Sequence, residues 1–194
     1  AGNTVHFNEN VAVGYGALGD VVDSSDHTVV GFEAQMTDCG SETTAFGFKA
    51  AKYNHSIRLV AIGPFAGLNN NTWPNTFIGY NSGGSSSDIT GAASTAIGNY
   101  TLSKLTSGNN NTAIGHDAGK EITTGQYNTA CGAYSLDSNS TASYDTGFGY
   151  GTLSSITTGW GDTAMGYHAG VNITSAWGCT VIGNDAGKQI TTGQ

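Results

Sequence analysis

A few residue sets in this 194-residue chain have the types and spacing that chemistry requires. Gly14-Tyr15-Gly16-Ala17-Leu18-Gly19 matches the glycine spacing of a dinucleotide loop, in which backbone amides approach a pyrophosphate at a helix N-terminus. That loop belongs to a βαβ unit, and no such unit follows, so no cofactor is expected. His6, His27, His55, His116 and His168 stand at unrelated spacings with no HExxH pair and no calcium-loop pattern. They read as solvated side chains, and no metal site is expected. The pair His116-Asp117 lies near many hydroxyls, but no GxSxG elbow offers a nucleophile. Asp145 and Asp162 stand 17 residues apart, the one stacked acidic pair that a polysaccharide hydrolase could use as acid and base. Trp160 and Trp177 share one repeat position, with Trp73 one position away; they either stack as a structural ladder or offer flat faces to sugar rings. Cys39, Cys131 and Cys179 form no CxxC pair and are expected as free thiols.

Composition narrows the class. The chain carries 30 glycines, 10% charged residues and a net charge of −8. Such an acidic chain is poorly suited to gripping phosphate backbones, so no nucleic-acid partner is expected. No apolar run reaches the roughly 18 residues of a membrane span, so no membrane insertion is expected. Ala1 opens the chain without the basic and apolar regions of a secretion signal, which leaves the compartment open. Leu, Ile, Val and Phe together make only 35 residues, thin for a globular core, yet charge is too scarce for a disordered chain.

What positions these residues is a repeat. Five-residue motifs start at Asn10, His27, Thr43, Leu59, Asn75, Ser94, Asn111, Asn128, Asp145, Asp162 and Cys179, in steps of 16 to 19 residues. Position five is always glycine: Gly14, Gly31, Gly47, Gly63, Gly79, Gly98, Gly115, Gly132, Gly149, Gly166 and Gly183. Position four is apolar and position two is Thr or Val, the alternation of a short strand that ends in a glycine corner. Position three holds seven alanines: Ala12, Ala45, Ala61, Ala96, Ala113, Ala130 and Ala164. Leu105, Ile122, Ile156 and Ile173 mark a second short strand before a Thr/Gly corner. The expectation is an all-β parallel β-roll, or β-solenoid, of about eleven 16–19-residue coils with two strands per turn, residues 1–9 being a leader or partial coil and 10–194 a single array. At about 4.8 Å per coil the rod is on the order of 50 Å long. A core of one or two large side chains per coil is meagre, so the alanine row is expected to be buried against copies of the same chain. Gln194 stands where Gln126 stands in its own unit, which reads as a segment of a longer fibre. Sequons at Asn54, Asn70, Asn99, Asn110, Asn139 and Asn172 follow from an Asn- and Thr-rich composition and are left unassigned.

Units such as NTAIGHDAGKEITTGQY and DTAMGYHAGVNITSAWG resemble the repeats of bacteriophage tail-fibre proteins, and the AIG core is similar to the head repeats of trimeric autotransporter adhesins. The resemblance covers Asn10 to Gln194. This chain mostly has Thr where the adhesin heads have Val, and its coils are longer, which favours the phage type. The resemblance implies a left-handed, homotrimeric roll in an extended appendage. The expected function is therefore a non-enzymatic structural and adhesive shaft of a viral tail or neck fibre, located on the virion and contacting host surface glycans. A bacterial trimeric adhesin head or extracellular filament is the alternative, and a polysaccharide-degrading tailspike is the third reading.

Overall fold

The computed structural model describes residues 9–20, 24–37, 41–72 and 74–193. Trp73, Cys39 and His6 lie outside the described residues, as do residues 1–8 of the leader and Gln194. Among the described residues there is no helix. Eleven short strands, one per motif, form a single parallel sheet: β1 (Val11–Val13), β2 (Thr28–Val30), β3 (Thr44–Phe46), β4 (Leu59–Ile62), β5 (Asn75–Ile78), β6 (Ser94–Ile97), β7 (Thr112–Ile114), β8 (Thr129–Cys131), β9 (Thr146–Phe148), β10 (Thr163–Met165) and β12 (Thr180–Ile182). Strand order follows chain order and like positions pair, as in Ala113 with Ala130, Ala130 with Gly147 and Ala164 with Val181. The fold is a β-solenoid of about ten turns.

The second strand per turn is largely missing. Among the described residues only β11 (Ser175–Ala176) and β13 (Thr192–Gly193) pair on that side, with isolated bridges at Asn70–Ile89, Ser143–Trp160 and Trp160–Trp177. Coils are nevertheless hydrogen-bonded to their neighbours on every side. Between the seventh and eighth coils, Thr112 donates to the Asn128 carbonyl (2.8 Å), Tyr134 to His116 (2.9 Å), Gly119 to Ser135 (2.9 Å) and Thr123 to Ser140 (3.0 Å). Thr123 Oγ1 adds a bond to the Ser140 carbonyl at 3.0 Å. Extended backbone is broken because left-handed residues recur within each coil. In the eighth they are Gly132, Tyr134, Leu136 and Tyr144, with φ of 133°, 58°, 52° and 64°. Such angles bend the chain tightly and restrict β-structure to three or four residues at a time.

The corner glycines satisfy two constraints together. Their φ values lie between 126° and 144°, where side chains are strained. A Cβ on Gly14 would also fall 2.5 Å from the carbonyl oxygen of Gly31 one coil on, and one on Gly115 would fall 2.8 Å from that of Gly132. Coils therefore stack corner on corner with no room for a methyl group.

Spacing within a coil is rigid only in part. From the corner glycine to the left-handed residue four positions on, every coil keeps step, as in Gly47 to Ala51, Gly79 to Gly83 and Gly115 to Gly119. Length differences fall afterwards: Leu59 follows Ala51 closely, while the 19-residue coil places its two extra residues between Gly83 and Ser94.

Gly115→Ala should lose stability through both strain (about 1–3 kcal/mol) and overpacking (about 1–3 kcal/mol). Gly183→Ala, whose Cβ would meet only Ala186 Cβ at 3.8 Å, should lose through strain alone. Thermal melts of the two variants should rank Gly115→Ala clearly lower; equal losses would remove the stacking constraint.

Candidate functional site

The inner and outer faces of the sheet are opposite to the sequence expectation. Ala45, Ala61, Ala96, Ala113, Ala130 and Ala164 are buried inside the chain's own coil and cannot form a seam between chains. Ala12 is exposed in β1, whose three residues are all exposed. The interior is narrow because the opposite wall supplies the bulk: Leu102, Leu105, Ile122, Leu136, Leu153, Ile156 and Ile173 are all buried. The sheet can contribute only small side chains there, and volumes trade across the gap. Where Phe77 replaces alanine, Gly83 faces its ring, and where Val181 does, Gly187 faces it. Positions two and four therefore point outwards. Ile114 is 40% exposed while Ala113 beside it is 0% exposed.

The outward face carries an apolar stripe along the rod: Val13, Phe46, Ile62, Ile97, Ile114, Phe148, Met165 and Ile182 are exposed. Beside it, just past the glycine corner, runs a file of rings that sequence reading missed. Tyr15, Phe32, Phe48, Phe65, Tyr80 and Tyr100 touch in succession at centroid distances of 5.3 to 5.9 Å. A second run joins His116, Tyr134, Tyr150 and Tyr167 at 5.3 to 5.5 Å. Once the repeats are aligned, the signal is visible as an aromatic residue at one of the two positions after most corner glycines.

Trp160 and Trp177 lie on the other edge. Their backbones are bridged, and they continue the file of Tyr127 and Tyr144: rings stack at 4.8 Å between the tyrosines and meet edge-on at 4.6 Å between Tyr144 and Trp160. They are 50% and 63% exposed, so the file belongs to the surface.

The deepest chemistry lies at position one, which also points inwards. Each position-one oxygen in the later coils accepts the backbone N–H of the next position-one residue: Asn111 Oδ1 from Asn128 (3.0 Å), Asn128 Oδ1 from Asp145 (3.0 Å), Asp145 Oδ1 from Asp162 (3.0 Å) and Asp162 Oδ1 from Cys179 (2.8 Å). The asparagines also donate from Nδ2, Asn111 to the Gly125 carbonyl (2.8 Å) and Asn128 to Ala142 (2.9 Å). Asp145 and Asp162 are fully buried in this file, out of reach of a polysaccharide. Burial, joined by the neighbouring Asp162 charge, pushes the Asp145 carboxyl up to about 7. Burial also raises Asp162.

The remaining candidates do not converge. His27 is buried, not solvated; it sits at position one between Ser24 Oγ (2.9 Å) and Gln35 Nε2 (3.2 Å), and burial lowers its pKa. His116 Nδ1 lies 3.7 Å from Asp117 Oδ2, which also meets Lys120 Nζ at 3.3 Å. The Gly14 to Gly19 segment runs from a corner into turns. Cys131 and Cys179 are free. Among the described residues no three His, Cys, Asp or Glu side chains are placed to hold a metal ion. A shallow groove of about 270 Å³ is lined by Arg58, Asn75, Thr76 and Thr95, with Arg58 Nε on Glu42 at 2.9 Å. Asn54, Asn70 and Asn139 are buried, whereas Asn99, Asn110 and Asn172 are exposed. No helix is long and apolar enough to cross a membrane among the described residues. In comparisons with known proteins, no family model, no curated protein and no solved structure matches the chain.

Two substitutions test this placement. Ala113→Leu should cost about 1–3 kcal/mol by overpacking, while Thr112→Ala on the outer face should change stability by less than about 0.5 kcal/mol. Asn128→Ala strips partners from the Asp145 N–H and the Ala142 carbonyl and should cost at least about 1–3 kcal/mol in denaturant unfolding.

Proposed function

We propose that the chain is a structural and adhesive shaft of a viral tail or neck fibre, working as a homotrimer. The observation that carries this reading is the apolar stripe at position four, exposed in eight of the eleven coils and flanked by the two runs of rings, on a rod of stacked coils. Monomeric proteins seldom leave a continuous apolar band in water. At about 4.8 Å per coil this band runs on the order of 50 Å along the rod, well beyond the singly scattered apolar residues that need no explanation. A straight file repeating on every coil is best covered by the same file on a copy of the chain, and closed rotation is the ordinary way to do so. Three copies, the virion location and the left hand come from the resemblance to tail-fibre repeats. The seam is thus assigned to Ile62, Ile97, Ile114, Phe148 and Met165, in place of the alanine row.

On this reading the work is mechanical reach with many weak contacts, and avidity makes up for the weakness of each. The file of Tyr127, Tyr144, Trp160 and Trp177, on the edge away from the seam, is the surface available to host glycans. No enzymatic step is assigned.

Native mass measurement should give a trimer, and Ile97→Asp with Ile114→Asp should give a folded monomer, since both side chains face outwards. A folded wild-type monomer at micromolar concentration would overturn the assembly. Labelled trimer should bind host cells and lose binding with Trp160→Ala and Trp177→Ala; binding unchanged by the pair would remove the glycan role.

A further inference from the structure

The position-one file changes its chemistry part-way along the rod. Asn111 and Asn128 each use one oxygen to accept from the coil ahead and one N–H₂ to donate to a carbonyl 14 residues on. Asp145 and Asp162 keep the accepting oxygen. Their second oxygen replaces the donating nitrogen. The replacement is positional as well as chemical: Asn128 Nδ2 lies 3.0 Å from where a Cβ on Gly125 would be, and Asp162 Oδ2 lies 3.2 Å from the same point on Gly159. Gly125 and Gly159 each precede their side chain by three residues. An acceptor therefore occupies a donor's place.

Asp162 Oδ2 is buried and has no hydrogen-bond partner; Asp145 Oδ2 takes a long bond from Asn139 Nδ2 at 3.3 Å, and the Gly161 N–H also bears on the Asp145 carboxyl. Neither carboxyl forms an ion pair among the described residues. The titratable groups bearing on the pair are each other and the Cys179 thiol; Asn128 and Asn139 face it uncharged. Two stacked, buried carboxylates without a cation are costly. A proton on either one supplies, as an O–H, the donor that the asparagines supply as N–H₂.

We propose that Asp145 and Asp162 form a proton-dependent latch in the later coils: a protonated carboxyl holds coils nine to eleven in register, and release of the proton to solvent loosens them. The direction is fixed by linkage. A carboxyl whose pKa is higher folded than unfolded binds its proton more tightly in the folded state. Its contribution is complete below the unfolded value, near 4, and is lost as pH rises through the folded value, about 7 for Asp145. The latch is closed in mild acid and released in mild alkali, the reverse of the usual paired carboxylate.

Unfolding should be followed from pH 5 to 8.5 in the wild type and in the Asp145→Asn, Asp162→Asn double variant, which extends the asparagine file through the stack. The wild-type folding equilibrium should weaken by at least about tenfold more than the variant's across that range, and at pH 8.5 the variant should be the more stable. Equal pH slopes, or a less stable variant at pH 8.5, would overturn the latch. Hydrogen exchange on the wild type gives an independent reading. From pH 6 to 8.5 the Asp162 and Cys179 amides should lose protection, beyond the intrinsic base-catalysed rise, while the Thr112 and Thr129 amides should not. Uniform change along the rod would count against it.

Discussion

Contact of each coil with the next, on every side of the turn, is the constraint from which this molecule follows. A coil of 16 to 19 residues encloses at most two large apolar side chains, too few to offset the ordering of its backbone. What it gains comes from stacking: backbone bonds around the whole circumference, threonine hydroxyls on the second corner, and the inward file of Asn and Asp oxygens capping the next amide. Stacking at strand spacing in turn dictates the corner. A carbonyl of the next coil occupies the space a methyl group would need, so glycine recurs there. Stability in such a rod is a sum over neighbours, and each coil depends on the two that flank it.

Much of this was legible in the sequence, for a physical reason. The glycine period reports a steric exclusion repeated in every coil, and the alternation of Thr, Ala and Ile reports a strand. Which face of that strand lies inside was not legible. Alternation fixes parity and leaves the sense open, and the hydrophobic choice, Ile114 inwards and Ala113 outwards, was the wrong one because the far wall already fills the interior. The second strand failed for a different reason. Its markers, Leu105 and Ile122, are buried as expected, but left-handed residues such as Leu102, Tyr134 and Leu136 interrupt the backbone, and nothing in their side chains announces that angle. Asp145 and Asp162 were visible as a stacked pair; their burial was not, because it depends on position one sharing the inner face.

The same inversion redistributes surface and core. Small residues inside and large ones outside leave an apolar, ring-edged flank on a thin rod, where the expectation was a flat alanine face. The edge that carries Tyr127, Tyr144, Trp160 and Trp177 is both a file of touching rings and exposed, the features that the ladder and sugar-facing readings of the tryptophans respectively require.

The uneven coil lengths have an architectural consequence. Sheet, corner and the four residues after it keep one metre throughout, while the stretch behind them tolerates anything from the short 16-residue coils to the 19-residue coil beginning at Asn75. Extra chain therefore accumulates along a single margin of the rod without disturbing the register of the sheet, as β5 and β6 show across the longest coil. That margin is where ornament, whether acquired by drift or grafted by design, can be hung while the spine stays continuous.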